Sequence, residues 1–437
     1  MGSQLPGCAF RGHSPPAIVL IVIDTLRADH TSLGGYSRPT TPELQRLASQ
    51  ADVYERAQAA APWTYPSMTA IMTGQHPGSA GITLGETVVP PHMPLFAEFM
   101  HRAGYRTSAV VAAHAMKQEM GLSRGFGFYD DSKAGEGRFF KANDVFDTAW
   151  TMINQRNDAP FFQYIHLWDP HYPYYLHPEH DFMPDYRGNR ASGEWPDVYN
   201  SQVATLRPED KAFIKALYDS EIAFTDRELG RFLDRLKEAG LFDDALIVVT
   251  SDHGEEFGER GWYGHQWSLH QELLHVPLVV KWPGQDTRAN CGYATHVDLA
   301  PTILQAAGCA ETFQGDGQPL QEGNSWIKRP LFSQTVRNKE QDQFHKESVD
   351  QVSLLYGDKK VILNNLGRRL TFFDLTTDAR EKNPRHYPEN DLEKELVRTL
   401  EKTQNLVKRR FMQLPLDQKP GLIPEELRTR LRSLGYL

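Results

Sequence analysis

The chain has 437 residues, 40% of them hydrophobic and 24% charged, which suits a folded globular enzyme with one large core and a smaller appendage. Its formal net charge is -9 and the acidic residues are scattered, which argues against a phosphate-tracking nucleic-acid surface and leaves nucleic acid only as a small substrate. The longest apolar run, 17–23, stops at Asp24, far short of the roughly 18–20 residues that cross a bilayer, so no transmembrane segment is expected.

The termini and cysteines add little. Cys8, Cys291 and Cys309 show neither a paired framework nor metal-ligand spacing, and are expected to be ordinary residues. Leu-Pro-Gly-Cys at 5–8 faintly resembles the end of a lipoprotein signal, but no basic or apolar region precedes it. An extracytoplasmic location, periplasmic or lipid-anchored, and a cytoplasmic one both stay open, as does the oligomeric state.

In chain order, the first predicted element is a strand over 17–23, closed by Asp24. A helix follows at 41–50, where Thr41 precedes Pro42 and Glu43, and others at 67–73 and 93–103. Val- and Ile-rich strands come at 107–113 and 160–167, then a Pro-, Tyr-, Asp- and Asn-rich stretch at 172–207 that predicts a long loop over the mouth of the site. A long helix over 208–239 repeats apolar residues at helical spacing, with mixed charges assigned to a solvated face. Strands at 245–250 and 276–281 and a helix at 298–307 complete an α/β domain over 15–320 with a mostly parallel central sheet sandwiched by helices. Short strands at 351–356, 359–364 and 370–374, a hairpin at Gly357-Asp358 and a charged helix over 390–412 predict a small C-terminal α+β subdomain over 321–437.

Chemistry concentrates where the predicted strands end. Ligands of parallel sheets collect at the carboxyl ends of strands, which is where Asp24, the 166–171 cluster and Asp252 fall. A carboxylate closing a strand is also a common turn or capping group, but the adjacent pair Asp252-His253 adds a second carboxylate and an imidazole, with Gly254 allowing a close turn. Thr64, just ahead of Pro66, Ser67 and an apolar helical run, supplies a hydroxyl, with Ser67 as its rival. Threonine is a poor nucleophile until a base or cation lowers its pKa, and a divalent ion bound by Asp24, Asp252, His253 and Thr64 would do so. The mixed O/N donor set favours zinc or manganese, with calcium or magnesium as alternatives. His171, on a Pro-rich loop, and His265, in a Gly-rich one, are candidates to bind oxyanion oxygens or protonate a leaving group. His166 is expected to point inward from its strand, Asp169 to orient a neighbour, and Glu255, Glu256 and Glu259 to be exposed loop charge.

Several ordered stretches resemble the sulfatase branch of the alkaline phosphatase superfamily. They are Val-Ile-Asp-Thr-Leu-Arg-Ala-Asp-His at 22–30, Gly-Tyr-Ser-Arg-Pro-Thr-Thr-Pro at 35–42, the Thr64 segment through Gly74, Asp-Pro-His-Tyr-Pro-Tyr at 169–174 and Ser-Asp-His-Gly-Glu at 251–255. Val-Pro-Leu-Val-Val-Lys-Trp-Pro-Gly at 276–284, His-Val-Asp-Leu-Ala-Pro-Thr-Ile-Leu at 296–304, Phe-Asp-Leu-Thr-Thr-Asp at 373–378 and the closing Leu-Arg-Ser-Leu-Gly-Tyr-Leu extend it over most of the chain. The departures bear on chemistry. Members of that branch carry Cys or Ser, matured to formylglycine, in a Cys/Ser-x-Pro-x-Arg motif, whereas the matching positions are Thr64, Pro66 and Met68. The family's second Asp is Thr25, its Asn at the last metal position is His253, one sulfate-binding Lys is Ala112 beside the matching His114, and a later Lys falls near His265.

These swaps are similar to threonine-dependent relatives, the phosphodiesterases and the phosphoethanolamine and lipoteichoic acid transferases. That resemblance implies a metal-dependent hydrolase or transferase of phosphate mono- or diesters, with Thr64 as nucleophile and His171, His265 and His114 binding a small-molecule, glycan- or lipid-linked ester. The spacing of Asp169 and His171 differs from that of two-metal phosphodiesterases, so one ion is expected and a second stays in doubt. The alternatives are a sulfatase working without formylglycine and a noncatalytic binding protein on the same fold.

Overall fold

The computed structural model describes residues 15–413 apart from 83–86, 135–140, 156–158, 285–288, 310–312, 321–327 and 337–349, together with positions 421, 425, 428 and 429. Cys8, the 5–8 stretch and the closing seven residues lie outside the described residues. The strands are β1 (Ile18–Ile23), β2 (Asp52–Gln58), β3 (Arg106–Val111), β4 (Phe128–Asp130), β5 (Phe161–Leu167), β6 (Leu246–Ser251), β7 (Glu256–Phe257), β8 (Tyr263–Gly264), β9 (Leu278–Lys281), β10 (Asn290–Thr295), β11 (Leu331–Gln334), β12 (Gln351–Tyr356), β13 (Lys359–Asn364) and β14 (Arg369–Asp374). The helices are α1 (Pro42–Ala48), α2 (Thr64–Thr73), α3 (Phe96–Arg102), α4 (Ala142–Ile153), α5 (Pro196–Asn200), α6 (Pro208–Glu238), α7 (Gln271–Leu274), α8 (Leu299–Ala306) and α9 (Asp391–Gln413).

Eight strands form the main sheet in the order β10-β2-β9-β6-β1-β5-β3-β4. Every residue of β1 is buried, because helices cover both sheet faces and leave no room for the polar alternation of a half-exposed strand. It pairs in parallel with β5 and β6, with Ile23 opposite both Leu167 and Ser251, so the residues after these strands emerge at one level. That register gathers Asp24, the 168–171 turn and Asp252 at a single edge. One strand departs from the parallel pattern: β9 runs antiparallel to both β6 and β2.

A second sheet, β11-β12-β13-β14, is antiparallel throughout, and the Gly357-Asp358 turn closes its central hairpin as predicted. Its alternation serves two cores. Val352, Leu354, Val361, Leu363 and Phe372 pack with Leu396, Leu400 and Val407 of α9, while Leu331, Leu355, Ile362 and Phe373 join the main core from the other face.

The long loop holds over 172–195, with α5 as a short helix beyond it. The helix α6 corrects the expectation of a solvated charged face. Asp219, entirely buried, accepts from His30 Nδ1 at 2.7 Å, Tyr36 Oη at 2.7 Å and Arg38 Nη1 at 2.6 Å, and so pins the 30–38 segment. Asp226 accepts the N–H groups of Glu43 and Leu44 at 2.7 and 2.8 Å, closing the start of α1. Glu221 accepts the N–H of Tyr175 at 2.7 Å and meets His177 Nε2 at 2.7 Å, tying the long loop down. The acidic residues are inside because they replace water for loop backbone and side-chain donors. Cys309 also departs from expectation: it is disulfide-bonded, whereas Cys291 is buried and outside any disulfide.

Candidate active site

The edge where β1 and β6 end is built on a strained residue. After Ile23 the ladder continues for one bond, Asp24 N–H to the Leu167 carbonyl at 3.0 Å, and then Thr25 turns the chain with φ of 56°. A β-branched residue in that region costs about 1–3 kcal/mol and persists only where its surroundings over-determine it. They do so here: Thr25 N–H donates to Asp252 Oδ1 at 3.1 Å, and Tyr218 Oη donates to the Thr25 carbonyl at 2.7 Å. The result fixes Asp24 and Asp252 relative to each other.

On the β6 side, Ser251 Oγ accepts the N–H of Leu26 at 2.9 Å and donates to the His253 carbonyl at 2.6 Å. Gly254 is required, since a Cβ at that position would stand 1.9 Å from the Glu272 carbonyl oxygen. His296, in contact with the Ala60 N–H at 3.3 Å through Nδ1 and with the Ser251 carbonyl at 2.9 Å through Nε2, bridges the turn before α2 to the end of β6. Its Nδ1 accepts, so its proton is on Nε2 and the ring is neutral; burial holds its pKa down at about 4.

Asp24, Asp252 and His253 each offer a ligand atom, all within 4.8 Å of one another and all fully buried. His253 Nδ1 donates to the Gly254 carbonyl at 2.8 Å, which leaves Nε2 as the basic nitrogen, 3.4 Å from Asp252 Oδ2 and 3.7 Å from Asp24 Oδ1. Thr64, the first residue of α2, places Oγ1 3.3 Å from that same Nε2. Trp63 is extended and α2 begins at once behind it, so the hydroxyl sits at the positive end of the helix. The rival Ser67 is occupied elsewhere, donating to the Ala61 carbonyl at 2.8 Å.

The electrostatics indicate a missing positive charge. Burial, then the neighbouring Asp252 and Glu255, push the Asp24 carboxyl well above its usual range, with the Thr64 hydroxyl opposing. Neither oxygen of Asp24, nor Oδ2 of Asp252, has a hydrogen-bond partner of ordinary geometry, and among the described residues no Lys or Arg is paired with either carboxylate. Burial holds His253 near 4, so it too stays neutral. Two carboxylates, one imidazole oriented by a backbone carbonyl and one hydroxyl are a fitting donor set for a divalent ion, which would offset the charge the protein leaves unpaired.

Two residues missed in the sequence belong to this setting. Glu255 is not exposed loop charge but fully buried, accepting from Tyr174 Oη at 2.9 Å and lying 3.0 Å from His265 Nδ1; burial lifts it to about 8. Glu256 is buried as well, held by Arg260, and Glu259 is largely covered, paired with Arg27 at 2.9 Å and Lys215 at 3.5 Å. His166, fully buried, sets Nε2 3.9 Å from Asp24 Oδ2, and neither ring nitrogen has a hydrogen-bond partner. The usable signal for His166 was its register next to the end of β1; for Glu255 the run of acids masked it.

The remaining candidates divide. The His265 ring centroid lies 4.4 Å from that of His253 and 5.0 Å from that of His171, so both predicted histidines reach the cluster. His171 is stacked on Trp168 at 3.7 Å, its Nδ1 donates to the Tyr172 carbonyl at 2.6 Å, and burial with the adjacent His265 keeps it neutral. His114 is buried on a short 3-10 turn, 114–116, after β3 that packs against α2. Asp169 turns away to accept the Ala142 N–H at 3.0 Å at the start of α4, and does not join the cluster.

Comparison with known proteins identifies the family and the fold. The description of the Sulfatase family matches residues 16–309. An N-acetylglucosamine-6-O-sulfatase of Bacteroides thetaiotaomicron is 21% identical, the match covering 67% of this chain and 68% of that protein. A multifunctional alkaline phosphatase superfamily protein, PehA, of Trinickia caryophylli is 28% identical over 40% of this chain and 39% of its own. Among solved structures, the phosphonate monoester hydrolase of Agrobacterium radiobacter superposes with a TM-score of 0.70 at 18% identity, covering 90% of this chain and 96% of that one. With the matched span running from β1 through α8 and containing the whole Asp24–Thr64–Asp252–His253 cluster, the chain belongs to the sulfatase family.

Proposed function

We propose that the protein is a metal-dependent hydrolase or transferase of phosphate mono- or diesters in which Thr64 is the nucleophile. The observation that carries this reading is the Thr64 hydroxyl, at the head of α2 and 3.3 Å from His253 Nε2, inside a buried cluster of carboxylates that no Lys or Arg pairs among the described residues. Asp24, Asp252 and His253 would hold a divalent ion, zinc or manganese by donor type, which would supply positive charge to lower the hydroxyl pKa and stabilise the transferring group.

Thr64 Oγ1 loses its proton to solvent and attacks phosphorus, the bond to the leaving oxygen breaks as that oxygen takes a proton, and a phosphothreonine results. Water or an acceptor alcohol then attacks phosphorus and frees the Thr64 oxygen. His265 is assigned to protonate the leaving oxygen: its ring centroid lies 4.4 Å from that of His253, and when the proton shared with Glu255 lies on the carboxyl, Nε2 carries the hydrogen. His171, with its proton on Nδ1, presents a basic Nε2 that gains a proton as an anionic ester enters. His114 is assigned to substrate binding, and the diversion of Asp169 into capping α4 supports a single ion.

Sulfate esters are the second reading, favoured by the named sulfatase relative. Chemistry weighs against it, because an unmodified threonine lacks the hemiacetal route by which formylglycine expels sulfate. The deciding experiment supplies the metal-loaded protein in parallel with aryl phosphate, aryl phosphodiester, phosphonate monoester and aryl sulfate. Turnover of a phosphorus ester, with a mass gain of one phosphoryl group lost in Thr64→Ala, is expected. Turnover of aryl sulfate alone overturns the phosphate assignment, and absence of both turnover and a stoichiometric ion favours a noncatalytic binding protein.

A further inference from the structure

The one-turn helix α7 is bonded to three segments that meet at the cluster. A helix this short leaves most of its carbonyls without internal partners, and those at its end are taken by backbone from the walls of the site. The Leu273 carbonyl accepts the N–H of Gly254, next to His253, at 2.8 Å; the Leu274 carbonyl accepts that of Ala59, on the approach to Thr64, at 2.8 Å; and the His275 carbonyl accepts that of Ala28, on the segment leaving Asp24, at 3.1 Å. Gly254 passes its position on directly, since its own carbonyl orients the His253 ring through Nδ1 at 2.8 Å.

A single helical turn does not hold itself in place, because fixing its backbone costs more conformational freedom than its hydrogen bonding offsets. Its first N–H, that of Gln271, donates to Glu381 Oε2 at 2.5 Å, and Glu381 Oε1 pairs with Lys360 Nζ at 2.8 Å. Lys360 is on β13, on the face that Ile362 turns to the main core, and both charged side chains are buried. Burial pushes the Glu381 carboxyl up and the Lys360 ammonium down, and each charge offsets that cost for the other. Glu381 is also strained, with φ of 49°, a left-handed value that a glutamate keeps only where its contacts dictate it. Here they are Lys360, Gln271 and the bond from its own N–H to the Asp378 carbonyl at 3.0 Å.

We infer that Glu381 is a positioning residue for the metal cluster: from the C-terminal lobe it fixes α7, and α7 sets the spacing of the segments that bear Asp24, Thr64 and His253. The inference rests on reading Asp24, Asp252 and His253 as metal ligands and does not depend on which ester is cleaved. It makes the small antiparallel sheet part of the support of the site, because the charge that steadies Glu381 comes from β13.

The test is titration of the chelator-treated full chain with zinc and with cobalt(II), together with hydrogen exchange of the metal-free protein. Glu381→Ala/Lys360→Met removes the acceptor of the Gln271 N–H without stranding a buried lysine, Glu381→Gln/Lys360→Met keeps a neutral acceptor there, and Gln271→Pro deletes the N–H at a first-turn position that proline tolerates. Arg385→Met/Glu393→Gln breaks the 2.6 Å ion pair between the same lobe and α9, as a control for general loosening. The zinc dissociation constant is expected to rise at least about tenfold in the Ala/Met and Pro variants and to stay within about threefold of the parent in the Gln/Met variant and the control. In the two weakened variants the cobalt(II) absorption spectrum should shift, and the amides of Ala28, Ala59 and Gly254 should exchange faster together. Parent-like zinc affinity and exchange in the Ala/Met and Pro variants, an equal loss in the control, or a Gln/Met variant as weak as Ala/Met overturns the proposal. A parent that takes up no stoichiometric ion overturns the ligand reading instead, and the exchange of the three amides then decides whether Glu381 anchors α7. Circular dichroism verifies that each variant is folded.

Discussion

Asp24 and Asp219 are both entirely buried carboxylates, and the protein treats them in opposite ways. Asp219 is surrounded by an imidazole, a phenol and a guanidinium, so its charge is satisfied by the chain that folded around it. Asp24 faces a second carboxylate, a neutral imidazole and a hydroxyl, and its oxygens have no such partners. Burial alone therefore does not distinguish structure from function. The distinction is whether the fold itself completes the charge, or leaves that to something brought from solution.

The largest effect expected of this contrast is catalytic. Thr64→Ala should lower turnover of a phosphorus ester by about 10³-fold or more, measured with metal-loaded protein, while stability changes by no more than about 1 kcal/mol. Activity within tenfold of the parent would remove Thr64 from the mechanism.

Stability gives the sharpest comparison. In chelator-treated protein, Asp219→Asn should destabilise by about 2–4 kcal/mol, because it takes the carboxylate away from the buried His30 imidazole and the partly covered Arg38 guanidinium. Asp24→Asn should instead stabilise by about 1–3 kcal/mol, since it removes an unpaired charge. Denaturant melts that show the same sign for both substitutions would break the comparison. Metal should then rescue only one of the two regions: zinc or manganese at ~100 times its dissociation constant adds about 2.7 kcal/mol to the parent and much less to Asp24→Asn.

The smallest effect tests a completed charge by pH. Burial would raise Glu259, but Arg27 and Lys215 overrule it and bring its carboxyl down to about 2. A carboxyl lowered on folding adds stability above its ordinary pKa near 4.5, and that contribution fades as pH falls from 4.5 toward 2. Glu259→Gln should cost roughly 1 kcal/mol at pH 7 and flatten the acid limb of the stability profile in that window, as followed by thermal melts. An unchanged acid limb would show that the ion pair adds nothing.

The features most legible in the sequence were those governed by local chemistry. An uninterrupted apolar strand ending in a carboxylate located Asp24, and a similar strand running into Asp-His-Gly located the opposite wall. The three strands and the hairpin of the C-terminal sheet were readable because their alternation is strict and a Gly marks the turn. β2 and β10 were not: Asp52, Glu55, Arg56 and Gln58 dilute the first, and Asn290 and Gly292 the second, although their pairing with each other and with β9 is what extends the sheet. Charge was misread for a physical reason as well. Glu255 and the acids of α6 look solvated one residue at a time, and only the fold brings Tyr174, His265, His30 or the start of α1 to meet them.

Gly254 leads to a final consequence. Since the carbonyl of Glu272 fills the place of its missing side chain, even one methyl there would wedge the turn away from α7. The next backbone amide along α7, that of Gln271, is bonded to Glu381 beside the C-terminal sheet, so the displacement would travel to the joint between the two sheets. The spacing of the Asp24–Asp252 edge and the seating of the C-terminal lobe thus rest on the same absent carbon.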